Sequence, residues 1–120
     1  MLVPVCEGKR VFFTGHSLGG ALAHVAAKYL SCDYRALITF GSPRVFGNRG
    51  VAFDKVPWIE RYVHGKDMVP TLPPESLGFE HFGTERFLSQ QPRPWQHLLV
   101  PRGVFDHIPT LYAEALWSEK

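Results

Sequence analysis

The sequence predicts an α/β fold built on a parallel sheet, and three observations predict it. Two short β-branched and aromatic runs, "RVFFTG" (10–15) and "RALITFGSP" (35–43), each stop at glycine, as buried strands do. Between them "LGGALAHVAAKYL" (18–30) carries Ala, Leu and Val at helical spacing. Strand, helix and strand in that order make one right-handed crossover, the unit that joins neighbouring parallel strands.

The elements follow in order. The first strand ends at Gly15 and the helix begins almost at once. Gly19 and Gly20 fall in its first turns, where side chains are expected to hold the helix off a neighbouring strand. The second strand closes on Gly-Ser-Pro. "VFGNRGVAFDK" (45–55) reads as a glycine-containing loop or short helix. "WIERYVHG" (58–65) alternates in polarity and reads as a third strand, with Asp67 just beyond its carboxyl end. "DMVPTLPP" is a proline-punctuated loop. "TERFLSQ" (84–90) and "WQHLLVP" (95–101) read as short strands, paired as a hairpin around "QPRP". "DHIPTLYAEALWSEK" (106–120) reads as the last helix, with Pro109 in its first turn and Asp106 or His107 near its cap.

A chain of 120 residues is enough for one small domain, here 1–120, and not for two. Its 45% hydrophobic and 20% charged content is that of a soluble globular protein. The net charge of +2 is too small, and its basic residues too scattered, to imply a nucleic-acid partner. No apolar stretch approaches the roughly 18 residues of a spanning helix. The opening "MLVPVCEGKR" lacks the basic n-region of a secretory leader. The expected location is therefore cytoplasmic, or secreted if a further segment precedes this one. Cys6 and Cys32 are read as two separate thiols.

The chemistry concentrates at "GHSLG" (15–19), a G-x-S-x-G pattern. A strand that becomes a helix within a few residues forces its corner residue into a strained backbone conformation. Small neighbours let strand and helix approach, and the serine hydroxyl projects from the top of the sheet. The N–H of the next residue, Leu18, then points to where an oxyanion would form, at a helix end with partial positive charge. Ser17 is the candidate nucleophile.

An unassisted serine is a poor nucleophile, so an acid and a histidine should follow it in chain order. Asp33 lies at the far end of the helix from Ser17, and Asp54 precedes a strand; both belong to the wrong edge of the sheet. Asp106 adjoins the best histidine and is expected to cap the last helix. Asp67 follows a strand at its carboxyl end, the same edge as Ser17, and is the candidate acid. Among six histidines, His16 is expected to point away from Ser17 and pack. His24, His64, His81 and His97 are read as structural. His107 comes last, in a loop entering the terminal helix, and is the candidate base. No His, Cys and Asp spacing suits a metal site, and no metal is expected.

"VFFTGHSLGGALAHVAA", "ITFGSPRVFGN", "YVHGKDMVPTLPP", "FEHFGTERF" and "DHIPTLYAEAL" together, over about residues 9–117, resemble the class 3 (fungal-type) lipase family. The resemblance implies a partial α/β-hydrolase fold without a cofactor and the hydrolysis of acyl esters, typically of glycerolipids. It also implies transient contact with a lipid interface. The family's triad falls on Ser17, Asp67 and His107.

Members of that family carry several strands, a lid helix and a second oxyanion donor ahead of the elbow, whereas 16 residues precede Ser17 here. The sequence is accordingly read as the C-terminal part of a lipase, with the N-terminal strands and lid absent. One oxyanion donor is worth roughly 3 kcal/mol, and an uncovered elbow strand presents a bare apolar edge. The alternative reading is a non-catalytic, lipase-like interaction module.

Overall fold

The computed structural model describes residues 6–47, 58–89 and 100–119. β1 (Val11–His16) runs into α1 (Leu18–Tyr29), and β2 (Tyr34–Phe40) follows. After β3 (Phe46–Gly47) come β4 (Ile59–His64), β5 (Phe79–Glu80) and β6 (Thr84–Leu88). Two short helices of the tight 3-10 type, Val69–Thr71 and Glu75–Leu77, lie between β4 and β5. α2 (Arg102–Phe105) and α3 (Pro109–Ser118) end the chain.

Four strands form one sheet in the order β1-β2-β4-β6, and every pairing in it is parallel. β3 and β5 make a separate antiparallel pair. Parallel neighbours place all their carboxyl ends on one edge, so the segments leaving β1, β2 and β4 converge there. That convergence is what the site uses.

Side chains alternate across the strands, and each face has its own core. On one face α1 sets Ala23 and Ala27 against Tyr34 and Leu37, with Val11, Phe13, Cys32 and Ile59 around them. On the other, α3 sets Tyr112 and Ala115 against Leu88, with Phe40, Tyr62 and Leu116 beside them. The Phe40 and Tyr62 rings, opposite each other in the register, stack at 5.2 Å. Because α3 lies over β4 and β6, the same face is uncovered at β1. Phe12 stays 67% exposed there, and β1 ends the sheet among the described residues.

Two expectations need correction, and a third falls largely outside the described residues. β6 lies parallel to β4, with Glu60 opposite Thr84 and His64 opposite Leu88. The hairpin's turn and most of its second strand, with His97, lie outside the described residues, as does Asp54. The last helix starts at Pro109 with Ile108 at its cap position and no side-chain cap. Asp106 instead spends its carboxylate on the backbone N–H of Lys66, at 2.7 Å. The second correction concerns the paired glycines. A Cβ on Gly20 would sit 2.7 Å from the Ser42 Cβ, but one on Gly19 would meet nothing within 4 Å.

The close approach at the elbow is made by Gly15, where a Cβ would lie 2.3 Å from the backbone of Gly19. Backbone cannot move aside as a flexible side chain can. Gly15→Ala is therefore expected to lower stability by about 3 kcal/mol or more, beyond ordinary overpacking. Gly19→Ala is expected to be neutral or to stabilise by about 0.5–1 kcal/mol through helix propensity. Urea unfolding of both variants checks the contrast. Equal losses would show that the two glycines share one role.

Candidate active site

Ser17 sits between β1 and α1 with φ 55° and ψ −125°. Among the described residues it is the non-glycine residue with positive φ, a conformation that costs of the order of 1–3 kcal/mol. The surroundings hold it there. Its N–H bonds to the Phe40 carbonyl at the end of β2 (3.0 Å), and its own carbonyl accepts from Gly20 (2.9 Å) and Ala21 (3.2 Å). Its hydroxyl makes no capping bond to the helix, which leaves the oxygen for another partner.

That partner is His107, whose Nε2 lies 2.7 Å from Ser17 Oγ. The other ring nitrogen, Nδ1, lies 2.8 Å from Asp67 Oδ2. A carboxylate only accepts, so Nδ1 carries the proton and Nε2 faces the serine hydroxyl as acceptor. The structure thus brings Ser17, His107 and Asp67 into one hydrogen-bonded line. Of the other candidates, Asp33 pairs with Arg35 in solvent. His24 bonds within α1 to Gly20, and His64 donates to the Asp106 carbonyl at 3.1 Å.

Asp67 leaves β4 in a tight turn, its N–H bonded to the His64 carbonyl (3.0 Å). Its side chain is wholly buried, so each carboxylate oxygen needs partners from the protein. Oδ1 accepts from the Val69 N–H (2.9 Å). Oδ2 accepts from His107 and also from the Tyr112 hydroxyl, at 2.5 Å. Burial, and then the bond to Asp67, push the Tyr112 phenol well above its ordinary pKa, so the hydroxyl stays a donor. Around this turn Arg44 bonds the carbonyls of Thr71 (2.6 Å) and Pro73 (3.1 Å). Burial brings His81 down to about 4, and its neutral ring bonds the Pro70 carbonyl at 2.6 Å.

His107 is held through its neighbours. The fully buried Asp106 ties it to Lys66, which precedes the acid. His16, expected to pack, does more than that. Its Nε2–H donates to the His107 carbonyl (2.7 Å), and its ring lies 4.5 Å from the His107 ring. Burial is the main cause of its lowered pKa, which favours the neutral form.

Sequence reasoning missed three contributors: Tyr112, Asp106 as a loop clamp, and Gly41. Gly41 adopts φ +55°, and a Cβ there would fall 2.6 Å from Asp67 Oδ2 and 3.0 Å from His107 Nδ1. Its signal was present as the glycine closing β2. Tyr112 carries none, since an apolar helix face uses tyrosine as readily for packing.

The family described as Lipase (class 3) matches residues 3–77. A secreted mono- and diacylglycerol lipase of Fusarium solani is 45% identical over 83 residues, covering 66% of this chain and 25% of that protein. A lipase of Rhizopus oryzae is 40% identical over 90 residues, covering 66% of this chain and 22% of that one. The chain thus spans about a quarter of the length of these relatives. Among solved structures, a Rhizomucor miehei lipase–propeptide complex superimposes with a TM-score of 0.58 at 36% identity, over 67% of this chain and 29% of that one. A triacylglycerol lipase whose catalytic centre is formed by a serine protease triad gives 0.62 at 30% identity, over 83% of this chain and 46% of that one. With the strand–elbow–helix unit, the parallel sheet and a family match across more than half its length, the chain belongs to the class 3 lipase family.

Proposed function

We propose that Ser17, His107 and Asp67 are the nucleophile, general base and orienting acid of an enzyme that hydrolyses carboxylic esters of lipids, such as acylglycerols or phospholipids. The unbroken relay from Ser17 Oγ through His107 to Asp67 Oδ2, at 2.7 and 2.8 Å, carries this reading.

His107 Nε2 takes the hydroxyl proton as Ser17 Oγ bonds to the ester carbonyl carbon. The negative charge that develops on the carbonyl oxygen meets the Leu18 N–H. As the first residue of α1, Leu18 has no acceptor for that N–H within the helix. The tetrahedral species then expels the alcohol, which leaves with the proton from His107. Water gives a proton to His107, attacks the acyl carbon, and releases the carboxylic acid and the serine hydroxyl. Asp67 keeps the imidazole in the tautomer each step needs and stabilises its charged form. The chain's own groups handle every proton and electron pair, so the steps need no cofactor.

The lipid nature of the substrate is supported by exposed apolar side chains near the three residues in sequence. Leu18, Met68, Leu72, Val104 and Ile108 are exposed. Such side chains suit acyl chains and transient contact with a lipid surface. No helix among the described residues is long and apolar enough to cross a membrane.

A fluorophosphonate probe, which phosphonylates an activated serine, tests the reading. The folded protein should be labelled at Ser17, and Ser17→Ala should abolish labelling. His107→Ala should slow it by about 10²-fold or more, the loss of a general base. Folded protein that takes up no probe would overturn the proposal and leave a lipase-like interaction module. Labelling that survives Ser17→Ala would place the reactive group elsewhere.

A further inference from the structure

The second chemical feature of the molecule lies at the other end of the sheet. Cys6 opens a turn in which the Lys9 N–H bonds to the Cys6 carbonyl (3.0 Å). Cys32 lies between α1 and β2, its N–H on the Leu30 carbonyl (3.0 Å). The two segments enter the sheet side by side. The Val11 N–H bonds to the Asp33 carbonyl (3.0 Å), and Val11 pairs with Tyr34 in the register. Both cysteines are half-buried and both are free thiols. Cys32 packs against the Ala23, Ala27, Tyr34 and Leu37 cluster, and its thiol and that of Cys6 are hydrogen-bond partners. That bond, then burial, raise the Cys32 thiol above its ordinary pKa. Read from the sequence as separate thiols, the two are neighbours in the structure.

We propose that Cys6 and Cys32 form a site of oxidative modification, a disulfide that closes segment 6–32. Three features support it. The two thiols are hydrogen-bond partners. Strand pairing just beyond them, with the Val11 N–H on the Asp33 carbonyl, brings their two segments together. The ring so formed encloses β1, the Ser17 elbow and α1, the elements that fix the nucleophile. It does so from the amino ends of the strands, leaving the opposite edge open.

The oxidant is a low-molecular-weight disulfide such as oxidised glutathione. One cysteine thiolate attacks it, forming a mixed disulfide and releasing one small thiolate. The second cysteine thiolate attacks the mixed disulfide at the protein sulfur and releases the other. The sulfur–sulfur bond of the small disulfide is broken and one between Cys6 and Cys32 is made. The two cysteines lose one electron each, the oxidant gains both, and the two thiol protons end on the released thiols. The reaction runs forward wherever the thiol–disulfide couple is oxidising.

The test is equilibration of the intact chain in glutathione buffers of graded redox ratio, with acid quenching, intact mass and peptide mapping. Each chain should lose two hydrogens, and the Cys6 and Cys32 peptides should be joined, independently of protein concentration. The equilibrium constant for closure should be at least about tenfold higher in native buffer than in urea, because the fold holds the thiols together. Closure should raise the Tm by about 10 °C, an effect that added reductant removes. Cys6→Ser and Cys32→Ser should each form only the mixed glutathione adduct. A native constant no higher than that in urea would overturn the proposal. So would a native product made only of mixed adducts or of chains joined to one another. None of these readouts depends on hydrolysis, so they stand or fall apart from the function of Ser17.

Discussion

Asp67→Asn will leave the chain folded and slow its reaction with a fluorophosphonate by about 10⁴-fold, the scale on which such relays depend on the imidazole tautomer. The reason lies in three hydrogen bonds. Oδ1 accepts from the Val69 N–H, while Oδ2 accepts from His107 Nδ1–H and from the Tyr112 hydroxyl. An asparagine has one oxygen and one NH2 group. If the oxygen stays with Val69, the NH2 faces His107 and donates to Nδ1. The imidazole then carries its proton on Nε2 and cannot receive the Ser17 proton. The flipped amide would restore the tautomer but set its NH2 against the Val69 N–H, leaving two donors face to face in a buried site. The first arrangement costs less, since the Tyr112 hydroxyl can turn and Val69 keeps its acceptor. Labelling kinetics with a folded-state control by circular dichroism measure the effect. An asparagine variant labelled within tenfold of the parent would remove Asp67 from the relay. Tyr112→Phe keeps the carboxylate and the tautomer, and should slow labelling by about ten- to a hundredfold, the scale of one hydrogen bond to a charged group.

Tyr112 also shows where sequence reading stops. β1, α1 and β2 were legible because their signals are local: apolar runs of strand length, helical spacing, and glycines at the corners. The elbow at Ser17 was legible because it demands a strand before it and a helix after it, and both are written beside it. Asp67 and His107 followed from the edge of the sheet on which they had to lie and from chain order. The partner of β6 was not legible. "TERFL" suits a half-exposed strand anywhere, and its pairing with β4 is a contact between residues more than 20 apart in sequence. Asp106 has the residue type and position of a helix cap, but a carboxylate has one conformation at a time. The Lys66 N–H, brought in by the turn after β4, takes it instead. The Tyr112–Asp67 and His16–His107 bonds join segments about 45 and 91 residues apart. No local pattern announces such bonds, since the same tyrosine and histidine would serve as ordinary core residues.

Gly41→Ala should slow labelling of Ser17 by about 10²-fold and also lower the Tm, through two separable causes. The first is backbone: Gly41 has φ +55°, where a Cβ is disfavoured by about 1–2 kcal/mol. The second is space. The new methyl would lie 2.6 Å from Asp67 Oδ2, 2.9 Å from the Tyr112 hydroxyl and 3.0 Å from His107 Nδ1. Gly41 cannot retreat freely, because its N–H is bonded to the Tyr62 carbonyl at 3.0 Å. The neighbouring Phe40 carbonyl also holds the Ser17 N–H. The Asp67–His107 pair must therefore open, and a displacement of about 1 Å in such a relay costs on the order of 10² in rate. Gly8→Ala separates the two causes. Gly8 shares the positive φ, at +69°, but a Cβ there meets nothing within 4 Å. It should lose about as much stability as the backbone term alone and label at the parent rate. If Gly41→Ala also labels at the parent rate, Asp67 and His107 tolerate a methyl group between them and β2. The close fit of that glycine against the relay would then have no part in holding it.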